Sequence, residues 1–228
     1  MADSLTEHRS QVESCRACPR LVAWREEVAL TKRASFSDQE YWGRPVAGFG
    51  DPGAAIVVLG LAPAAHGANR TGRVFTGDRS GDFLFASMFR AGLANQPQSV
   101  SRKDGLELHN AWVTAAVRCA PPANKPTPSE RDRCMDWLVT EFDLLQNVQV
   151  VVCLGAFAWD AALRLTSALG APPIRPKPKF GHGAVAEAGP WTMLGCFHPS
   201  QQNTFTGKLT EPMIDDVFAR AQVLAGAV

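Results

Sequence analysis

Four short apolar runs predict β-strands that are buried on both faces. Each run is rich in Val, Ile, Leu or Cys and alternates little with polar residues, which is typical of strands covered by helices on both sides. Between and around these runs, the spacing of apolar positions predicts helices. The predicted strands are residues 55–61, 111–117, 148–154 and 192–197, and the predicted helices are about 13–30, 82–94, 128–145, 156–169 and 211–224.

The alternation of strand and helix sets the expected fold class. It predicts an α/β protein, a three-layer α/β/α sandwich with right-handed crossovers and a central, mostly parallel four-stranded sheet. The chain has 228 residues, which is enough for one hydrophobic core. We therefore expect a single domain spanning residues 1–228.

Polar loops follow three of the four predicted strands. They are residues 62–78 after the first strand, 118–128 after the second and 198–208 after the fourth, and all are rich in Gly or Pro. Ligands of such sheets bind at the carboxyl ends of the strands. We therefore expect the three loops to meet at one edge of the sheet and to form a binding site there.

Composition and charge argue against several classes of protein. The formal net charge is +1, so a polybasic tail is not expected, although local basic patches are allowed. No stretch approaches the roughly 18 uncharged apolar residues of a membrane span, and the first residues have no apolar signal-peptide core. We expect a cytoplasmic protein without a membrane partner. The G-x4-G-R pattern at residues 67–73 lacks the Lys and Ser/Thr of a phosphate-binding loop, so nucleotide hydrolysis is not expected.

Six cysteines without a signal peptide indicate metal binding or buried thiols rather than disulfides. Cys15 and Cys18 form a C-x2-C pair, and Cys119 and Cys134 flank the loop that follows the second predicted strand. Spacing alone leaves zinc and an iron–sulfur cluster equally open for these four residues. The other two cysteines lie within predicted strands and are expected to be small core residues.

Five segments, in order along nearly the whole chain, carry a resemblance to a known family. They are CRACPRL at 15–21 with WREE at 24–27, GLAPAAHG at 60–67 with NRTGR at 69–73, FTGD at 75–78, RCAPP at 118–122 with NKP at 124–126, and HPS at 198–200 with NT at 203–204. A chain with these segments resembles the uracil-DNA glycosylase superfamily, and most closely its family 5, the iron–sulfur, broad-specificity "type b" enzymes. Helix-hairpin-helix glycosylases also carry iron–sulfur clusters, but their cysteines crowd into one C-terminal segment.

The resemblance implies a cofactor, an activity and partners. Cys15, Cys18, Cys119 and Cys134 would bind a [4Fe-4S] cluster that ties residues 1 to about 35 to the core. The protein would be a monomeric glycosylase that flips uracil out of double- or single-stranded DNA and hydrolyses its N-glycosidic bond. Hypoxanthine, ethenocytosine and hydroxymethyluracil are further expected substrates. No lysine stands in a matched catalytic position, so a monofunctional enzyme without lyase activity is expected.

The resemblance also assigns roles around the base. His198 would donate a hydrogen bond to uracil O2 as negative charge develops there, and Phe75 would stack on the flipped base. The side-chain amide of Asn124 suits the O4 and N3 edge of uracil. Backbone N–H groups of the small residues in the first loop would also hold the base, and His66 would contact the substrate. The expected substrate-binding residues are thus Ala62, Pro63, Ala64, His66, Phe75 and Asn124.

Asp78 is the available carboxylate, and two roles remain open for it. By the resemblance it would position the attacking water, whereas as a favoured N-cap residue it would cap the helix that follows. From Leu61 to Ala65 the first loop offers no polar side chain, where other families of the superfamily place a water-activating Asp, Asn or Glu. A non-catalytic iron–sulfur protein that binds DNA or senses redox state is therefore kept as a second hypothesis.

Basic side chains in the loops are expected to grip DNA phosphates without reading the sequence. Residues 172–183 form a proline-stiffened basic loop, and the segment 200–206 resembles the loop that enters the minor groove and fills the gap left by the flipped base, with Gln201, Gln202 or Phe205 as the wedge. Arg118, Lys125 and Lys208 are further expected basic residues at the edge of the site. The expected DNA-contacting set is Arg70, Arg73, Arg175, Lys177, Lys179, Gln201, Gln202 and Asn203.

Overall fold

The four predicted strands form the middle of a larger sheet. The computed structural model describes residues 2–226, with side chains from residue 4 onward, so the predicted domain of 1–228 includes three residues outside the described part. The strands are β1 (Phe49–Gly50), β2 (Ile56–Gly60), β3 (Ala111–Ala115), β4 (Val150–Leu154), β5 (Val185–Ala188) and β6 (Trp191–Cys196). The helices are α1 (Ala2–Ser14), α2 (Pro19–Thr31), α3 (Ala68–Thr71), α4 (Arg79–Arg90), α5 (Pro128–Leu144), α6 (Ala156–Ala168), α7 (Gln201–Phe205) and α8 (Glu211–Leu224), with 3-10 turns at Ala34–Phe36 and Pro122–Asn124.

The strand order brings the three polar loops to one edge of the sheet. The order is β1-β3-β2-β4-β6-β5, with β3, β2, β4 and β6 parallel and the two outer strands antiparallel to their neighbours. At their carboxyl ends, Gly60 of β2 pairs with Ala115 of β3, and Leu154 of β4 pairs with Cys196 of β6. Because the parallel strands end at the same edge of the sheet, the loops after β2, β3 and β6 leave the sheet at that edge.

The sheet separates two hydrophobic cores, which confirms the expected three layers. On β2, Ile56 and Val58 belong to the core that contains α4 and α8, whereas Val57 and Leu59 belong to the core that contains α5 and α6. Every residue of β2 is buried, which explains its continuous apolar run. Within residues 2–226, none of the helices is both long and apolar enough to span a membrane.

The prediction of four strands is wrong at the edges of the sheet, which has six strands. β1 has only two residues, too few to produce a recognisable pattern. β5 reads Val-Ala-Glu-Ala and has three residues that are exposed or half-buried. An edge strand that is only partly covered does not need a continuous apolar run, so neither strand carries the signal of the central four.

The predicted helix at 13–30 is also wrong, because the chain forms two helices there. α1 ends at Ser14, and α2 begins at Pro19, whose ring suits the first position of a helix but not its interior. The connection between them contains both Cys15 and Cys18. Cys18 packs against a small buried cluster that also contains Cys119, so this connection lies next to the loop that follows β3.

A buried ion pair fixes the end of β3 to α5. The guanidinium of Arg118 donates to the Oε2 atom of Glu141 at 2.6 Å, and both side chains are almost completely inaccessible to solvent. Thr114 of β3 also donates to the same oxygen, at 2.7 Å. The expectation that Arg118 grips DNA is therefore wrong, because its charge is already paired and lies away from solvent. Its role is to hold the start of the β3 loop.

Removing the charge of Glu141 should destabilise the fold. A Glu141→Gln substitution leaves the Arg118 guanidinium buried without its counter-charge, which costs about 3 kcal/mol. For a chain of this size the thermal unfolding midpoint should fall by at least about 6 °C. Asp136→Asn, at an exposed position of the same helix, is the matched control and should shift the midpoint little. Equal midpoints for the two variants would show that the pair contributes no stability.

Candidate active site

A cavity of about 390 Å³ opens at the carboxyl ends of the central strands, where the three loops meet. The loop after β2 supplies most of its wall, the loop after β3 supplies Asn124, and the loop after β6 supplies His198. The cavity is lined by Leu61, Ala62, Ala64, Val74, Phe75, Asp78, Ser80, Asn124, His198, Ser200 and Gln202. The prediction that these loops meet at one edge of the sheet is confirmed.

The ring of Phe75 and the imidazole of His198 lie next to each other in the wall of this cavity. Their centroids are 5.8 Å apart, and the two planes are inclined by 39°. Phe75 adopts a left-handed backbone conformation with φ of +52°, which is strained for a bulky residue. Gly60, at the end of β2, makes room for it, because a Cβ atom at that position would lie 2.7 Å from Cε2 of the ring. The glycine that ends the strand therefore sets the place of the aromatic wall.

The backbone around His198 is held from both sides. Asn203 donates its side-chain amide to the carbonyl oxygen of His198 at 2.8 Å. The backbone N–H of Phe197 donates to Nδ1 of His182 at 3.2 Å, so that ring nitrogen must be unprotonated. Asn203, expected to contact DNA, is thus engaged in positioning His198. Nothing in the sequence pattern links His182 to the site, because only the fold brings the two segments together.

Burial keeps the His198 imidazole neutral. It lowers the pKa of the side chain from 6.5 to about 4, because a charged ring loses the solvation of water. Within the described residues, the imidazole has no hydrogen-bond partner of its own. The ring is therefore available as a neutral hydrogen-bond donor to whatever enters the cavity.

Asp78 caps a helix and also lies in the cavity lining. Its Oδ1 atom accepts a hydrogen bond at 3.0 Å from the backbone N–H of Gly81, so it caps α4. The same carboxylate lines the cavity. Burial raises the pKa of Asp78, although hydrogen bonds from the backbone of Gly81 and Ser80 oppose the shift. A Cβ atom on Gly67 would collide with its Oδ2 atom, so the glycine is needed for this packing.

Two predicted substrate-binding residues, Pro63 and His66, are not part of the cavity lining. The Nδ1 atom of His66 lies 3.0 Å from the hydroxyl of Tyr41. Arg70 donates to the His66 carbonyl at 2.8 Å and to the Gly77 carbonyl at 2.7 Å, so its guanidinium is largely occupied by the protein. These residues shape the loop around the cavity.

Arg73 lies in the interior, so the prediction that it contacts DNA is wrong. It is buried and pairs with Asp104 at 2.6 Å. It also donates to Thr76 at 3.1 Å and to Ser99 at 2.6 Å. Burial works against ionisation of Asp104, but hydrogen bonds from Arg73 and from three backbone N–H groups lower its pKa to about 2. The network fixes the segment that carries Phe75.

The remaining predicted DNA contacts lie mostly on the surface. Arg175 and Lys179 are exposed, and neither forms an ion pair within residues 2–226. Lys177 is exposed as well but pairs with Asp160. Gln201 and Gln202 are exposed at the start of α7, and Lys125 and Lys208 are exposed on the loops after β3 and β6.

Sequence reasoning missed two hydroxyl groups in the cavity lining, those of Ser80 and Ser200. Each stands two residues after a predicted catalytic residue, Asp78 or His198. That closeness in sequence was an available signal, because residues beside a site residue at a helix start or a loop commonly share the same wall.

The four predicted metal ligands come from three segments that meet beside the cavity. Cys119 and Cys134 are buried, Cys15 and Cys18 are half-buried, and none forms a disulfide. Burial raises the pKa of Cys119 to about 12 and that of Cys134 to about 11, and in both cases the neighbouring thiols raise it further. Arg25 donates to the Cys119 sulfur at 2.9 Å, and the backbone N–H of Arg118 donates to the Cys134 sulfur at 3.4 Å. In the described part of the chain, no three His, Cys, Asp or Glu side chains are placed to hold one metal ion.

Comparison with known proteins identifies the family. A family model described as the uracil DNA glycosylase superfamily matches residues 47–222, which include β2, β3, β6 and the entire cavity. The chain belongs to the uracil DNA glycosylase superfamily. The match confirms the resemblance seen in the motifs, and it begins after the connection that carries Cys15 and Cys18.

Relatives within the superfamily are similar over almost their whole length. The type-5 uracil-DNA glycosylase of Mycobacterium tuberculosis is 57% identical over 227 residues, covering 99% of this chain and 83% of the relative. The type-5 enzyme of Thermus thermophilus is 50% identical over 215 residues, covering 93% and 94%. That of Pyrobaculum aerophilum is 43% identical over 219 residues, covering 96% and 92%.

In NMR spectra of this superfamily member, the chemical shifts of the His198 ring protons should change with pH around a midpoint near 4 instead of near 6.5. Because the folded-state pKa lies below the unfolded value, the unfolded state binds more protons in this window. The contribution of His198 to stability is therefore lost as pH falls from about 6.5 to about 4.

A variant that opens the cavity tests whether burial causes the shift in the pKa of His198. Phe75→Ala should admit water and move the midpoint of His198 upward, towards its ordinary value. Phe89→Ala, which removes an exposed ring from α4, should leave the midpoint where it is. A wild-type midpoint at or above 6 would contradict the neutral imidazole.

Proposed function

We propose that the chain is a monofunctional uracil-DNA glycosylase, which hydrolyses the bond between uracil and deoxyribose and leaves an abasic site. The observation that carries this proposal is that Phe75 and His198 lie next to each other in the lining of one cavity, with 5.8 Å between ring centroids. An aromatic ring beside a neutral hydrogen-bond donor suits a flat, polar-edged ring such as a pyrimidine base. The type-5 uracil-DNA glycosylases named above support the choice of uracil.

The size of the cavity agrees with a single extruded base. Its volume of about 390 Å³ lies near the lower end of the range for small-ligand sites. An enzyme that acts on a base must take it out of the stack and into such a space. The small side chains of Ala62 and Ala64 leave room for the base to approach the backbone N–H groups of the first loop.

Bond cleavage places negative charge on the departing base and positive charge on the sugar. His198 donates to uracil O2, where the negative charge develops, and a preformed donor at such a position is worth a few kcal/mol. Because its imidazole is neutral, it stabilises the oxygen without needing to transfer a proton. The exposed amide of Asn124, on the 3-10 turn after β3, binds the O4 and N3 edge.

Asp78 positions the attacking water in this proposal. Its carboxylate faces the cavity while one oxygen remains bound to the start of α4, so the side chain is fixed before a substrate enters. The cavity lining contains no lysine among the described residues, which agrees with hydrolysis rather than a Schiff-base lyase step. The permissive lining also suits hypoxanthine, ethenocytosine and hydroxymethyluracil as further substrates.

The exposed basic loop supports binding to double- and single-stranded DNA. Arg175 and Lys179 present unpaired charges to phosphates, which provides affinity without reading the sequence. Gln202, which is exposed on α7, lines the cavity, and Gln201 precedes it in the sequence. The proposal further includes a monomeric protein of one domain that works in the cytoplasm.

We also propose a [4Fe-4S] cluster held by Cys15, Cys18, Cys119 and Cys134. A four-iron cluster takes one thiolate for each iron, which suits four cysteines drawn from three segments. N–H donors on the buried sulfurs of Cys119 and Cys134 suit thiolate ligands, whose charge needs compensation away from water. The cluster would supply a structural cross-link between the connection of α1 and α2, the β3 loop and α5.

Loss of one ligand should affect folding more than catalysis. Cys119→Ser should lower the yield of folded protein and the iron and sulfide content, because the cross-link is lost. The surviving folded molecules should keep most of their excision rate. Cys153→Ala, at a buried cysteine outside the set, is the matched control and should keep its iron. A Cys119→Ser protein that folds in normal yield but is inactive would contradict a structural role.

Excision itself is tested with a uracil-containing duplex that is treated with alkali after incubation. The wild type should give strand scission only after alkali, since a monofunctional enzyme leaves the backbone intact. His198→Ala should lower kcat by about 100- to 1,000-fold with a smaller effect on KM. His109→Ala removes an exposed histidine outside the cavity and should be neutral.

The same assay separates the second hypothesis, a non-catalytic iron–sulfur protein that binds DNA. Its support is the lack of a polar side chain from Leu61 to Ala65. An intact strand after alkali, with DNA binding retained, would favour that alternative and overturn the proposed glycosylase.

A further inference from the structure

A second groove lies directly beside the base cavity. Its volume is about 450 Å³, and it is formed by the solvent side of α4 and the end of α7. The same two helices contribute residues to both spaces. On α4 and its cap, Asp78 and Ser80 line the cavity while Arg79 lines the groove, and on α7 Gln202 lines the cavity while Phe205 lines the groove.

Phe205 presents an open aromatic face in this groove. Its side chain is 68% exposed, and the guanidinium carbon of Arg79 lies 5.5 Å from the ring centroid. Within residues 2–226, Arg79 forms no direct ion pair, although it lies close enough to Asp82 to act against the rise that burial causes in the pKa of that carboxyl. An aromatic ring beside an exposed guanidinium is the combination on which bases of single-stranded nucleic acids stack.

The other charges of the groove favour a base over a phosphate. Arg90 is bound by Asp215 at 2.8 Å and by Glu211 at 3.5 Å, so it is neutralised by the protein. Asp82 and Glu211 both line the groove and would repel a phosphate. A neutral, flat group avoids this repulsion and still stacks on Phe205.

We propose that the groove binds the base adjoining the excised nucleotide, unstacked from its neighbours and laid on Phe205. This inference rests on the proposed glycosylase function, because the extruded base must first occupy the cavity. Nucleotides next to each other in a strand are covalently joined, and neighbouring residues of α4 and α7 line the two spaces. Phe205 is therefore a stacking residue for single-stranded DNA and not the wedge that fills a gap in the duplex. Gln202 stands nearer that gap, since it lines the cavity itself.

The test measures binding of single-stranded oligonucleotides by fluorescence anisotropy. Each carries a 2′-fluoro-deoxyuridine, which resists excision, and an abasic spacer replaces the neighbouring base on one side or the other. A spacer on the side that reaches the groove should weaken wild-type binding by about 5- to 100-fold. Phe205→Ala should be weakened to a similar degree and should no longer respond to the spacer, whereas Phe205→Trp should respond as the wild type does.

A matched control removes an exposed apolar side chain elsewhere. Val223→Ala on α8 is 66% exposed in the wild type, lies outside both spaces and should bind as the wild type does. The proposal is overturned if the wild type is insensitive to both spacers, or if Phe205→Ala weakens duplex binding only, which is the behaviour of a wedge.

Uracil excision from unmodified single strands is measured in parallel. If the wild type excises uracil but the effects of Phe205→Ala and of the spacer on binding are not coupled, only the proposed stacking groove is overturned. Absence of excision by the wild type would overturn the proposed function instead, so the two failures are distinguishable.

Discussion

The contact between the ring of Phe75 and the backbone of Gly60 is the constraint on which the site depends. The ring fills the space that a side chain at the end of β2 would need. It can do so only because Phe75 takes a left-handed backbone conformation, with φ of +52°. The buried pair of Arg73 and Asp104, together with Thr76 and Ser99, holds the segment in that conformation. The backbone strain at Phe75 is thus compensated by the hydrogen bonds and the ion pair of its neighbours, as is common at functional sites.

The surroundings of the cavity decide what its polar groups can do. Burial keeps His198 neutral and raises the pKa of Asp78, so both respond to a shortage of water rather than to a nearby opposite charge. A low-dielectric space strengthens each hydrogen bond made within it. From Leu61 to Ala65 the first loop adds no polar side chain, so the polar side chains of the lining are those of Asp78, Ser80, Asn124, His198, Ser200 and Gln202.

The parts of this protein that could be predicted from sequence are those with a local signal. The central strands are continuous apolar runs because helices cover both of their faces, whereas β1 and β5 lack that coverage and that signal. Motif order located Phe75 and His198, although only the strand order brings these residues to one cavity. An arginine in the sequence does not by itself indicate whether its side chain is exposed or buried. Arg73 and Arg118 resemble surface cations in the sequence, yet each is buried against an acid, Asp104 or Glu141, that lies 31 or 23 residues away.

Buried arginines explain how a loop-built site can be rigid. Arg25 binds Cys119, Arg118 binds Glu141 and Arg73 binds Asp104, so the loops after β2 and β3 are tied to the interior by cations that water does not screen. Electrostatic stabilisation of a developing charge requires donors that are already in place and do not reorganise during the reaction. If the protein walls are fixed in this way, the movement needed to form the complex must come from the DNA. A DNA strand that bends towards a rigid surface loses base stacking at the point where it enters the site. The proposed groove at Phe205 compensates for that loss by stacking on the displaced neighbouring base.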